Sequence, residues 1–465
     1  MNPSVPGKPG RRALSERTHA VVFFIVVALA LLLSDKGQIE GDGIVRWKTL
    51  DTLMSEGRLN ADRYTVVQPL LAAPLYLAGD LQARAAGATP EARTKILRHW
   101  VRRFNKVVAF GVAAWFFTFL RKRAGWRSNE AAWGTLFLLF GTMLIPHARD
   151  FYSECLWTLF CLAGLGLYCR LDGEAPGRER WRTVARFVLC CVWIVPLNPL
   201  LLFVGGGLIA LNFLWRIVAG RMPVAAALRR SDAWVAGLTL LLGAGLCALE
   251  NLARRGSLSN FGYSGEGFTT PFLHGLAGQL VAPARGMVFF MPCFFCGLIL
   301  LTRRGDGLNG PARRLVAASL LFSAGLVAAY ARWHAWHGAW YWGPRFLLLP
   351  SILGALYFVL LARETWNRCG GAARAGLAVL GLASYMVYKA GVGVGQRHLL
   401  ECLRQGPRGT NATGGGSSSQ ASWCNGPDLA AMFADRSTLV EIVTVVLVAV
   451  LARFAPAAGA EAPRG

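Results

Sequence analysis

The sequence predicts an all-α polytopic membrane protein, and three observations predict it. The chain of 465 residues is 54% hydrophobic and 16% charged, with a mean hydropathy of +0.41. A soluble chain carries about 25% charged residues. Apolar runs recur from residue 20 to residue 453, and Lys and Arg gather at their ends. In lipid a segment must satisfy its own backbone hydrogen bonds, so each run is expected to be a helix.

The net charge of +24 fits the same picture. Basic residues at span ends fix orientation and meet anionic head groups, which points to membrane lipids and not to nucleic acid as the partner. Most of the eleven cysteines lie inside runs, as small packing residues. Cys293 and Cys296 form a CxxC within MVFFMPCFFCGLILL, with no second pair to complete a metal site.

The first span covers about residues 20–34 and follows Lys8, Arg11, Arg12 and Arg17. It reads as an uncleaved anchor with a cytoplasmic N-terminus. The segment 35–98 is then the first outer loop. Within it, 44–56 has apolar residues at helical spacing and is expected to lie on the bilayer surface. Pro69 to Leu81 is short and proline-rich, and is placed as a second surface or re-entrant helix. Further spans are expected at 106–120, 131–146 and 151–169. A hairpin broken at Pro196 and Pro199 supplies two more, followed by 233–249, 286–301, 315–331, 346–362, 375–391 and 437–451. These make about twelve spans in a single domain, 1–465, with both termini cytoplasmic. Segments 250–285 and 392–436 become outer loops. The expected location is a bacterial inner membrane, with the outer loops in the periplasm.

On that topology the unusual polar residues collect on one face. The first outer loop gives Glu40 and Asp42. The second gives Asp150 and Glu154, four residues apart and so on one side of a helix start. The fourth gives Tyr263, Glu266 and Arg285; the fifth gives His334, His337, Trp340, Tyr341 and Arg345. Arginine grips phosphate through forked hydrogen bonds, aromatic faces stack on sugars, and a carboxylate can deprotonate an attacking hydroxyl. Such a set suits a phosphorylated, lipid-linked sugar. Each residue also has a plainer role. Asp150 can cap the helix beginning at Phe151. Trp340 and Tyr341 can belong to an interfacial aromatic belt, and Arg285 and Arg345 can anchor span ends. His334 and His337 lack a third ligand for a metal. The residues define no resident cofactor, and leave room for a divalent cation.

Four stretches resemble the GT-C superfamily of polytopic glycosyltransferases that use polyprenyl-phosphate sugars, among them protein O-mannosyltransferases, aminoarabinose transferases and arabinofuranosyltransferases. They are IEGDGIVRWKTLDTLMSEGRL, ARDFYSECLWTLF, NFGYSGEGFTTPFLHGLAGQLVAPARGMVFF and WYWGPRFLLLP. The resemblance implies a GT-C-like fold and an outer-face site. Asp42 matches the first-loop acid that supplies the base, and Asp150 and Glu154 match the second-loop acids. Cys155 and Ala284 depart from the pattern, where proline and glycine are commoner. The donor implied is a polyprenyl-phosphate sugar; the acceptor, whether protein, glycan or lipid, is open. The competing expectation is a secondary transporter or lipid-carrier flippase. That class places ionisable residues near the midplane and shows two similar halves, whereas here the acids lie at span ends.

Cys402 and Cys424 are the two cysteines that fall in an outer aqueous loop, around a segment rich in Gly, Ser and Asn. Such a compartment is oxidising, and a bridge there would add roughly 3 kcal/mol in the chain-entropy model. Thiol labelling of intact, non-reduced protein is expected to leave both residues unmodified. Modification of both without reductant contradicts the bridge and the outer placement of 392–436.

Overall fold

The computed structural model describes residues 9–33, 39–171, 177–218, 223, 231–263, 266–282, 285–302, 310–338, 343–366, 368 and 370–393. Every regular element among them is helical. Eleven of the expected spans fall on helices; the twelfth, 437–451, lies outside the described residues, as do Trp340, Tyr341, Cys402 and Cys424. Among the described residues, seven helices are long and apolar enough to cross a membrane. The protein is a multi-pass membrane protein.

Helix α1 (Pro9–Leu33) shows how sequence sets packing. Phe23, Val27 and Leu31 recur every fourth residue and are buried, whereas Val21, Ile25, Leu29 and Leu33 are exposed. One face therefore packs inward and the other is left for lipid. The inward face meets α5 (Phe104–Lys122), where Phe23 stacks on Phe117 at 5.5 Å and Phe24 meets Phe110 edge-on at 5.6 Å.

Between them lie α2 (Asp42–Glu56), α3 (Val67–Ala85) and α4 (Pro90–Val101). The piece expected at Pro69–Leu81 is a 19-residue helix, hairpinned onto α4. It runs on past Leu81 because Asp80 is paired with Arg93 at 2.7 Å and with Arg84 at 2.7 Å. The basic run ahead of α5, which opposes the positive-inside trend, makes internal contacts. Arg98 lies 5.7 Å from the Trp47 ring, Arg103 lies 5.1 Å from Trp100, and Lys106 is buried.

The chain continues through α6 (Ser128–Phe140), α7 (Leu144–Ala148), α8 (Glu154–Leu171), α9 (Arg178–Cys191), α10 (Ile194–Leu197), α11 (Leu200–Val218) and α12 (Ser231–Arg255). Then come α13 (Phe272–Val281), α14 (Met287–Phe290), α15 (Cys296–Thr302), α16 (Gly310–Ala331), α17 (Leu348–Thr365) and α18 (Gly371–Gly393). The span expected as one helix over 286–301 is broken into α14, a 3-10 turn at Pro292–Phe295 and α15. Pro292 lacks the N–H that would continue the α-helical ladder. Cys293 packs there against Ser384, 3.0 Å from its hydroxyl.

Helix α17 is the axis of the bundle: Leu348, Leu349, Ile352, Leu353, Ala355, Leu356 and Tyr357 are all buried. Tyr357 meets the Ser319 hydroxyl at 2.7 Å. Two kinds of helix end result. Glu16 pairs with Arg121 at 2.7 Å and Arg363 with Glu130 at 3.4 Å, which gathers the start of α1, the end of α5, the start of α6 and the end of α17. The opposite end carries the starts of α2, α8 and α17.

Glycine lets α13 reach the end of α16. A Cβ on Gly275 would stand 1.9 Å from the Ala331 carbonyl oxygen. Gly275→Ala is expected to force these helices apart and destabilise the protein by about 1–3 kcal/mol. The check is thermal unfolding in detergent, where a midpoint equal to wild type contradicts this packing.

Candidate functional site

The segment IEGDG shapes the start of α2. Gly41 has φ +51°, a left-handed backbone that favours glycine, and the Glu40 carbonyl accepts the Gly43 N–H at 2.9 Å. Asp42 follows in the first turn, where a negative charge suits the helix dipole. A Cβ on Gly43 would lie 3.5 Å from Phe151, so α2 rests on the loop before α8.

That loop is held by buried amides. Asn105 on α5 donates to the Tyr152 carbonyl at 2.7 Å and also to the Asp150 carbonyl. Gln68 on α3 donates to the Tyr152 carbonyl at 3.0 Å. The backbone groups of an irregular buried segment need such partners, and the arrangement fixes Glu154 in the first turn of α8.

The third strut is the turn before α17. Gly343 has φ +68°, and its carbonyl accepts the Arg345 N–H at 3.0 Å and Arg285 Nη1 at 2.6 Å. Arg345 then reaches both acids. Its Nη1 donates to Asp42 Oδ2 at 2.8 Å, and its Nε lies 3.6 Å from Glu154 Oε1. The guanidinium sits 5.2 Å from the Tyr152 ring and 4.9 Å from that of Phe346.

A second cation closes the other side of Asp42. Arg63 Nη2 stands 4.0 Å from Asp42 Oδ1, and its Nη1 pairs closely with Glu266. Glu266 Oε2 is in turn 4.0 Å from His334 Nε2. The Tyr64 hydroxyl lies beside Asp42 and accepts Arg63 Nε at 3.0 Å. Arg46, one turn along α2, donates to Ser153 at 3.0 Å and covers the Tyr64 ring at 4.0 Å.

Burial opposes the charge on Asp42, but Arg345 and Arg46, with the Tyr64 hydroxyl and a hydrogen bond from Arg345, hold its carboxyl below the ordinary carboxylate range. Asp42 is therefore ionised at neutral pH. Burial, with the Arg345 charge next, pulls Arg285 down to about 10. Several donors and one acceptor are buried without a hydrogen-bond partner: Nε and Nη1 of Arg46, Nε of Arg345, and Oε2 of Glu154. Arg46, Arg63, Arg285 and Arg345 thus surround Asp42, Glu154 and Glu266. The set is short of negative charge and of hydrogen-bond acceptors, so it can take an anion bearing several oxygens.

Of the residues singled out from sequence, Asp42, Glu154, Arg345, Arg285, Glu266 and His334 come together. Tyr263 joins them edge-on to Trp333 at 5.8 Å and beside Arg63 at 5.8 Å. Glu40 and Asp150 enter through their backbone carbonyls. His337 lies edge-on to Trp336 at 5.6 Å. Arg46, Arg63, Tyr64, Tyr152 and Ser153 were not foreseen. Arg46 carried a faint signal, its i+4 spacing from Asp42; Arg63 and Tyr64 carried none. Among the described residues no group of three or more His, Cys, Asp or Glu gathers to hold a metal. The surroundings of Asp42 are cationic and do not fit a divalent cation.

The all-helical, multi-pass fold is one that a solved membrane-protein structure shares. The crystal structure of ArnT from Cupriavidus metallidurans bound to undecaprenyl phosphate aligns with a TM-score of 0.51 and 13% identity, covering 91% of this chain and 77% of that one. Its apo state aligns with a TM-score of 0.49 and 13% identity, covering 93% and 76%. No protein-family model and no curated protein sequence matches the chain.

Removing Arg345 leaves the buried Glu154 and the half-buried Asp42 without their shared cation. Arg345→Ala is expected to cost about 3–5 kcal/mol, read as thermal unfolding. Adding Asp42→Asn and Glu154→Gln should recover much of that loss. A triple variant no more stable than Arg345→Ala contradicts the pairing.

Proposed function

We propose that this protein is a GT-C type glycosyltransferase that moves a sugar from a polyprenyl-phosphate donor to an acceptor, with Asp42 as general base. The observation that carries the reading is Arg345, its side chain 11% exposed, set between Asp42 and Glu154 with Arg285 beside it. A lipid phosphate is an anion of the right shape for such a pair of forks, delivered at the depth of the span ends. The neighbouring ArnT structure, with undecaprenyl phosphate bound, supports the same donor class.

The chemistry follows from the charges. The acceptor hydroxyl attacks the anomeric carbon, the bond to the phosphate oxygen breaks, and configuration inverts. Asp42 takes the hydroxyl proton, and the polyprenyl phosphate leaves with an added negative charge. Arg345 and Arg285 stabilise that charge more strongly as it grows. Arg345 also links the two events. When the donor phosphate draws its guanidinium, Asp42 loses part of the charge that keeps its proton affinity low. The base is then strengthened when the donor is in place. Glu154 holds the far side of Arg345 and aims it.

The acidic, aromatic end of the bundle is assigned to the outer face. The end carrying Arg121, Lys122, Arg123, Arg127 and Arg363 is assigned to the cytoplasm by the positive-inside trend. This puts the site in the periplasm of a bacterial inner membrane.

Asp42→Asn should lower sugar transfer by about 10²–10⁴ and leave binding of undecaprenyl phosphate intact. Arg285→Lys should weaken that binding, because a single ammonium cannot reproduce the fork. Turnover by reconstituted protein and titration with the lipid check both. Near wild-type turnover of Asp42→Asn at matched protein levels removes it from the mechanism.

A further inference from the structure

Arg63 and Tyr64 act on Asp42, yet they lie in a loop with no regular structure between α2 and α3. Loops are mobile unless something holds their backbone. Here the holder is the last two turns of α12. The Arg254 side chain is fully buried; its Nε donates to the Asn60 carbonyl at 2.7 Å and its Nη1 donates to the Tyr64 carbonyl. Its Nη2 lies 3.2 Å from Asp62 Oδ1. Glu250 fixes the guanidinium at 2.7 Å. Glu250 also accepts the Thr65 hydroxyl at 2.7 Å and the Val66 N–H at 2.8 Å, so a carboxylate meets the orphan donors at the start of α3. Arg255 adds hydrogen bonds to the Asp62 carbonyl.

The same helix end carries the partner of Arg63. The chain leaving α12 is folded back by Asn251, which donates to the Leu258 carbonyl at 3.2 Å, and soon reaches Glu266. Gly262, at φ +74°, lies so close to the loop that a Cβ there would stand 2.8 Å from Arg63 Cα. Both halves of the Arg63–Glu266 pair are thus set by one helix end.

We propose that Arg254 and Glu250 are positioning residues of this site, holding loop 60–66 so that Arg63 and Tyr64 meet Asp42. The proposal deepens the transferase reading and rests on it. Neither residue touches Asp42, Arg345 or Arg285. Their loss should therefore misplace the groups that set the base and leave the anion grip in place. The fork is essential, because a lysine at 254 keeps the charge but cannot reach two carbonyls four residues apart in the chain.

The test uses the full chain in nanodiscs, as wild type, Arg254→Lys, Glu250→Gln, Tyr64→Phe and Arg254→Lys/Tyr64→Phe. Hydrogen exchange is read at 60–66, and kcat and KM with a polyprenyl-phosphate sugar. Arg254→Lys is expected to speed exchange at 60–66 while α12 stays protected. It should lower kcat roughly ten- to a hundred-fold with KM little changed. In the Tyr64→Phe background it should cost much less, because both changes remove the same contact. Unchanged exchange at 60–66 overturns the proposal, and so does full additivity of the two substitutions. A rise in KM with kcat unchanged overturns it too. A wild-type protein that transfers no sugar sinks the transferase reading instead, and the clamp then stands or falls on exchange alone.

Discussion

The structure at this site depends on one largely enclosed cation shared by two carboxylates from separate elements. Arg345 comes from the turn before α17, Asp42 from α2 and Glu154 from α8. Each charge alone would be costly to take out of water, and the three together offset one another. Much of the local geometry serves to bring them to one point. The buried amides of Gln68 and Asn105 hold the loop that delivers Glu154. Gly41 and Gly343 supply backbone conformations that start the two other struts. The long apolar helices set the depth at which the three meet.

Neutralisation within the triad is only part of the balance. Arg285 and Arg46 are buried beside it, and Arg46 has donors without acceptors. A buried donor left unmade costs about 1–3 kcal/mol, so the ligand-free site holds unfavourable energy that an oxygen-rich anion relieves. Functional sites commonly hold such local costs because the surrounding fold enforces them. Apolar packing along α17 and between α1 and α5 gives that enforcement.

The helices were legible because apolar runs must be helical in lipid and because burial recurs with helical period, as at Phe23, Val27 and Leu31. Carboxylates and arginines at span ends were legible for a related reason: placing charge near lipid is costly, so Asp42, Glu154, Arg285 and Arg345 stood out. Illegible features depended on partners far away in the chain. Nothing local shows that Asp80 is paired with Arg93, so α3 looked shorter than it is. Nothing local tells that Arg63 and Tyr64 reach Asp42, since the grip comes from Arg254, some 190 residues later. Pro292 was visible, but hydropathy outweighed it, and one continuous helix was expected where the chain breaks. Local sequence also does not reveal that the Glu40 and Asp150 carbonyls accept hydrogen bonds that shape the site.

The central claim is that the Arg345 triad is where a lipid phosphate binds beside its base. The most direct measurement is an experimental structure of the protein in nanodiscs with undecaprenyl phosphate at saturating concentration. The account predicts phosphate density within hydrogen-bond reach of Arg345 and Arg285, with the Asp42 carboxylate facing the open side. Phosphate density elsewhere in the bundle, with the Arg345 pairs to Asp42 and Glu154 unaltered, would contradict it.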